Sequence, residues 1–308
     1  MARSSKFGGN RPETPDDKSR REFMMLSAAA GLAAATASVR ASAPESESLV
    51  SAHEVQIKTP DGTCDAAFFH PDGHRQGRSF PGVLIWPDAV GLRPVMRDMG
   101  KRLAAAGYAV LVPNPFYRSG PAPLYTDPGS FDFKDAAQME KLMGHMGPLN
   151  APGAAEHDAL AYIAFLDAQS QVNKAKKLGT QGYCMGGPLI MKTAAVAPER
   201  VGAAASFHGG RLVTDKPDSP HLLAPKIKAR MYFGVAASDD DRQPDVKDKL
   251  RAALADAHVT AEIEVYPGTI HGWCMADMPL QEGKVTYSKP DAERAWGKLL
   301  ALYKAGIA

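Results

Sequence analysis

The sequence predicts an α/β fold, a mostly parallel central sheet with helices on both faces. Three observations carry this. Apolar runs such as Val83-Leu84-Ile85-Trp86 and Ala109-Val110-Leu111-Val112 are continuous rather than alternating, as in strands buried on both faces. Between them, Val95 to Ala106 has helical periodicity, with Met96, Met99 and Leu103 apolar and Arg97, Lys101 and Arg102 charged. A strand, a helix of about three turns and a second apolar strand form a unit whose strands run parallel. Third, Gly182-Tyr183-Cys184-Met185-Gly186-Gly187 links a strand-like run, Lys177 to Gln181, to a helical one, Pro188 to Ala195.

The elements follow in order. His53 to Thr59 alternates as an edge strand should, Asp61-Gly62 is a tight-turn dipeptide, and Cys64 to His70 returns, so the domain opens with a hairpin. His70-Pro71-Asp72-Gly73-His74 spaces two histidines, but without a helix or further ligands it reads as a surface loop and not a metal site. Pro81 to Pro87 is a buried strand ending at Asp88. The next helix is closed by Gly107 as its C-cap, and Tyr108 to Pro113 is the following strand. A Pro-rich loop, residues 114–134, starts with Phe116, Tyr117 and Arg118 at a strand end, the side on which open α/β sheets bind ligands. Helices are expected over Lys134–Met146 and Ala154–Ala168, a strand over Val201–Phe207 ending at His208, and another over Lys228–Val235. The acidic turn Asp239-Asp240-Asp241 comes next, then a helix from Val246 to Ala257 and a strand from Glu262 to Tyr266. His271 lies in the loop beyond that strand, and a helix from Asp291 to Lys304 closes the chain. There is no internal repeat and no second linker, so residues 44–308 read as one domain.

Residues 1–43 read as a leader. Arg20-Arg21 precedes Phe23, an uncharged Ala-rich stretch runs from Met24 to Ala37, and Ala35-Thr36-Ala37 and Ala41-Ser42-Ala43 offer cleavage sites. The segment resembles a bacterial twin-arginine signal, which implies export of a folded chain to the periplasm and an export machinery as partner. An uncleaved anchor or a chance basic pair is the alternative; the apolar stretch is too short to span a bilayer as a mature helix. The leader holds seven of the 36 basic and four of the 34 acidic residues, leaving 29 against 30. A nearly neutral mature chain has no electrostatic footprint for nucleic acid. Three cysteines in 308 residues make no disulfide framework, though an oxidising compartment would permit Cys64 and Cys274 to pair. The absence of a C-x-x-C motif argues against a redox thiol protein.

The chemistry centres on Cys184. A sharp turn between strand and helix, with glycines two residues either side of a nucleophile, is the nucleophile-elbow context. Its strained backbone admits only residues without Cβ at Gly182 and Gly186, and the helix beyond aims N–H groups at the thiol. Nucleophilic hydrolysis also needs a base and a group orienting it. The chain supplies an aspartate after a later strand, Asp239 with Asp240 as the close alternative, and then His271 after the last strand. That nucleophile–acid–histidine order puts all three at carboxyl ends of strands, on one rim of the sheet. His208 also ends a strand but precedes the acid, which suits it to pocket lining. Phe116, Tyr117, Arg118, His208 and Trp273 are the candidate pocket residues.

These features resemble the dienelactone hydrolase family, the carboxymethylenebutenolidases of the α/β-hydrolase superfamily. The resemblance covers roughly residues 50–305: the Pro81-to-Gly91 strand and loop, Arg97-Asp98 with Leu103-to-Tyr108, the Gly182-to-Gly187 elbow, and Tyr266-Pro267-Gly268 leading to His271-Gly272. It implies the α/β-hydrolase fold, Cys184 as nucleophile, His271 as base and Asp239 as its orienting acid. The backbone N–H groups of Ala89 and Met185 would form the oxyanion hole. Asp88 occupies the place of a family glutamate that contacts and activates the resting thiol, and is shorter by one methylene. Family arginines that hold a substrate carboxylate have no counterpart here; Lys134 and Lys141 lie where one would fall, and Arg118 is an alternative source of charge. The expected activity is hydrolysis of a lactone or small carboxylic ester through an acyl-enzyme, without metal or organic cofactor. A thioesterase or peptidase on the same residues, or a non-catalytic exported binding module, are the competing expectations.

Overall fold

The computed structural model describes residues 50–72, 77–125, 131–132, 134–281 and 283–308. The leader, His74 and Phe133 lie outside them. Eight strands form one sheet in the order β1-β2-β4-β3-β5-β6-β7-β8. The opening hairpin, β1 (Val50–Thr59) and β2 (Gly62–Pro71), is antiparallel and joins β4 (Ala109–Pro113) antiparallel as well. From there to the far edge every pairing is parallel, through β3 (Gly82–Trp86), β5 (Leu178–Tyr183), β6 (Val201–Phe207), β7 (Arg230–Ala236) and β8 (Ala261–Tyr266). This is the α/β-hydrolase fold.

The apolar runs do what their continuity implies. Along β3, Leu84 and Trp86 enter one core while Val83 and Ile85 enter the other. The first core is covered by α2 (Ala136–Leu149), α3 (Ala154–Ala168), α4 (Gly186–Val196) and α6 (Val246–Asp256). The second is covered by α1 (Pro94–Ala105) and α7 (Lys289–Gly306). Full burial of a Leu, Ile or Val on either face stabilises the fold by about 1.5–3 kcal/mol, so neither face tolerates polar substitution.

Local chemistry sets the helix starts. The Asp135 side chain accepts the N–H groups of Ala137 (2.9 Å) and Gln138 (3.0 Å), so α2 begins at Ala136 and Lys134 stays in the preceding turn. The acidic turn after β7 is one short helix, α5 (Ala237–Arg242). A 3₁₀ segment, Pro220–Lys226, packs on α4 and had no periodic signal in the sequence.

One expectation is corrected and one open alternative is decided. His70 is not in a surface loop: β1 pairing extends to Pro71, so His70 is buried within β2, its ring stacked on His53. Cys64 and Cys274 are both free, because Cys64 lies in the first core and Cys274 packs against the second, across the sheet.

Candidate active site

The parallel strands bring their carboxyl ends to one rim, and three of the connections leaving it converge. Cys184 follows β5 at φ +50°, a left-handed conformation that costs a non-glycine residue energy. The turn is held by Cys184 N–H donating to the Phe207 carbonyl (3.1 Å) and by the Cys184 carbonyl accepting from Gly187 (3.0 Å) and Gly210 (3.2 Å). The flanking glycines are required by space. A Cβ on Gly182 would lie 2.1 Å from the Gly186 carbonyl oxygen, and one on Gly186 would lie 2.4 Å from that of Trp86. Backbone cannot yield at such distances.

His271 sits in the loop after β8. Its N–H donates to Ser238 Oγ (3.0 Å), and its carbonyl accepts from Gln281 Nε2 (2.8 Å). Its Nδ1 lies 2.7 Å from Asp239 Oδ2, and the ring lies close enough to Cys184 to be stabilised by its thiolate. Burial works against a charged imidazole here, but the Cys184 thiolate and the Asp239 carboxylate outweigh it and hold His271 well above its ordinary value. Of the triple aspartate, Asp240 turns away to Lys247 Nζ at 2.7 Å, so Asp239 is the residue the structure places on the histidine.

Cys184 and His271 open into a cavity of about 490 Å³ that is also lined by Asp88, Ala89, His208 and Ser238. His208 is buried, with its ring edge-on to His271 at 5.1 Å between centroids. Neither of its ring nitrogens meets a partner in another residue, and burial together with the charge of His271 pushes its pKa well below the usual value. Lys134, Lys284 and Arg242, all exposed, also line the cavity. Arg242 pairs with Asp239 at 3.6 Å, whereas neither lysine has an ion-pair partner among the described residues. The sequence marked Lys134 only as a place without arginine, and no local signal marked Lys284. Met185 follows Cys184 in the chain and Ala89 lines the same cavity, and neither amide donates to a turn, loop or cap carbonyl among the described residues.

Several expected pocket residues are elsewhere. Phe116 is core. The Tyr117 hydroxyl donates to Asp158 (2.9 Å) and meets Thr59 Oγ1 (2.7 Å). Arg118 forks onto both Asp158 oxygens at 2.8 Å and also binds Asp61. These side chains fasten the loop to α3 and to the β1–β2 turn, so Arg118 is spent on structure and lines no part of the cavity. Trp273 is wholly buried against Tyr266, ring centroids 4.2 Å apart, and supports His208 from behind.

Asp88 departs from the role expected of it. It lies at the cavity wall, but both its oxygens bind Arg93, Oδ1 to Nη1 at 2.7 Å and Oδ2 to Nη2 at 2.9 Å. Oδ1 also accepts the Val90 N–H (2.9 Å). A carboxylate shared this way is directed at the guanidinium rather than at the thiol. The described residues contain no cluster of three or more metal-ligating side chains.

Similarity to known proteins points one way. A protein of Methylorubrum extorquens provisionally named a carboxymethylenebutenolidase is 26% identical over 288 residues, 91% of each chain. One of Escherichia coli with the same provisional name is 26% identical, covering 80% of this chain and 90% of its own. Among solved structures, one from Klebsiella pneumoniae, provisionally assigned as a dienelactone hydrolase, superposes with a TM-score of 0.68 at 23% identity, over 83% of this chain and 99% of its own. The model of the dienelactone hydrolase family matches residues 65–306. The chain belongs to the dienelactone hydrolase family, a family of lactone and ester hydrolases.

Proposed function

We propose that the protein hydrolyses a lactone or small carboxylic ester by Cys–His–Asp nucleophilic catalysis. The observation that carries this is His271, hydrogen-bonded through Nδ1 to Asp239 and charged beside Cys184, with which it lines an open cavity. His271 takes the Cys184 proton, and the thiolate sulfur bonds to the substrate carbonyl carbon while the C=O pair moves to oxygen. The N–H groups of Ala89 and Met185 receive that oxyanion. As the carbonyl re-forms, the C–O bond to the leaving alkoxide breaks and His271 returns the proton to it, leaving a thioester. A water then gives a proton to His271 as its oxygen adds to the thioester carbonyl. When the carbonyl re-forms, the C–S bond breaks, the acid is released, and the Cys184 thiolate leaves beside the protonated His271, which restores the starting pair. Asp239 keeps Nδ1–H directed to itself and Nε2 directed at the chemistry, and it stabilises the imidazolium in both steps.

Lys134 and Lys284, which line the cavity and have no ion-pair partner among the described residues, favour a substrate that carries an anionic group beside its ester. Cys184→Ala is expected to abolish turnover of an ester and lactone panel in folded protein. Full activity in that variant would overturn the proposal, and a wild type inert towards the whole panel would favour the binding-module reading. We also infer that residues 1–43 direct export. Arg20→Lys with Arg21→Lys should leave the chain in the cytoplasmic fraction, and unchanged export would refute it.

A further inference from the structure

We propose that Arg93 is the positioning residue of the oxyanion site, with Asp88 serving as its anchor rather than as an activator of the thiol. This rests on the proposed carbonyl attack by Cys184. Arg93 is completely buried and is absent from the cavity wall. Its five N–H groups all have acceptors. Nη1 donates to Asp88 Oδ1 (2.7 Å) and to the Gly91 carbonyl (3.2 Å), and Nη2 donates to Asp88 Oδ2 and Asp277 Oδ1 (both 2.9 Å). Nε donates to Asp277 Oδ2 (2.7 Å).

The two carboxylates belong to different loops, one after β3 and one after β8. Asp88 opens the turn 88–91, closed by Gly91 N–H on the Asp88 carbonyl (3.0 Å) and by Val90 N–H on the Asp88 side chain. Ala89 is the residue inside that turn, so the direction of its amide follows from how Asp88 is held. Asp277 lies six residues beyond His271 in the loop after β8. One planar guanidinium therefore fixes the loop of the oxyanion donor relative to the loop of the base. Only a rigid fork with five donors does this; a lysine keeps the charge and loses the geometry. Hydrogen-bond donors stabilise a developing oxyanion only when held in place beforehand. With Asp88 saturated by Arg93, the partner left to activate Cys184 is His271.

The test separates the oxyanion from the thiol. A trifluoromethyl ketone adds to Cys184 to give a hemithioketal whose oxygen occupies the oxyanion site, whereas iodoacetamide alkylates the thiolate without forming an oxyanion. Protection of Cys184 from iodoacetamide by the ketone is read by peptide mass spectrometry in wild type, Arg93→Lys and Asp277→Ala. In Arg93→Lys the ketone concentration giving half-protection should rise at least tenfold, while alkylation without ketone stays within twofold of wild type. Ester kcat should fall in parallel with little change in KM. Asp277→Ala, whose side chain is partly exposed, should shift the same way by a smaller factor, and it decides the matter if Arg93→Lys does not fold. Unchanged half-protection in the folded variants, no protection in wild type, or alkylation that slows as much as protection weakens would each overturn the assignment. A wild type that is protected by the ketone yet cleaves no ester would refute the hydrolase reading alone.

Discussion

Asp239 and Asp240 are adjacent, chemically identical and both in the first turn of α5, yet they face different partners. Asp239 accepts His271 Nδ1–H at 2.7 Å, and Asp240 accepts Lys247 Nζ at the same distance. Their substitutions should therefore diverge. Asp239→Asn would offer an amide where the histidine needs a carboxylate, losing both the tautomer and the imidazolium partner, so kcat should fall on the order of 10²–10⁴-fold. Asp240→Asn removes a half-exposed ion pair and should change kcat by less than about threefold. Steady-state kinetics of the two variants side by side checks this, and equal effects would mean that the triad acid is wrongly assigned. Sequence order narrowed the acid to this cluster. The choice within it depends on how α5 turns its side chains, which three consecutive aspartates cannot signal.

At the scale of the element, the loop after β4 shows how position and role come apart. Its place at a strand end suggested substrate binding, but Tyr117 and Arg118 are drawn back to Asp158 on α3, forty residues further along. Asp158 is fully buried and takes three hydrogen bonds from these two side chains. Removing one partner of such a buried pair leaves an uncompensated charge, at a cost of 3–5 kcal/mol in general. Since Arg118 retains Asp61, Asp158→Ala should lose about 3 kcal/mol, the low end of that range. Urea unfolding measures the loss, and an unchanged alkylation rate at Cys184 in the folded variant would confirm that the fastening is remote from the chemistry. The elbow is the opposite case. Gly182 was legible because its reason is local, a close approach to the backbone of Gly186 four residues on, whereas Gly186 is pressed by the carbonyl of Trp86 from another strand. Arg93 and Asp277 lie 184 residues apart, and no pattern within either segment foretells their meeting.

For the whole molecule, the strand–helix alternation was readable because parallel strands bury both faces and so appear as unbroken apolar runs. Cys184, Asp239 and His271 were readable because that alternation carries each to the same rim. The electrostatics of the rim were not, since they arise from packing. His208, with its folded pKa below the 6.5 of the free side chain, is the case in point. Between those two values the unfolded chain binds a proton that the native one refuses, so stability from this group is present above pH 6.5 and is lost as the pH falls. The slope from one such group is at most about 1.4 kcal/mol per pH unit. His208→Leu should flatten the decline in urea midpoint between pH 7 and pH 5, and an unchanged slope would mean that His208 takes up its proton in the native state without penalty.

The separation of Cys64 from Cys274 by the thickness of the sheet has a consequence for where the chain can mature. All three thiols are free in the folded protein, so no covalent cross-link waits on an oxidant. The native state can be completed among the reductants of the compartment of synthesis, before any crossing of a membrane. Passage of a finished fold, as a twin-arginine route requires, would leave no step of assembly for the far side.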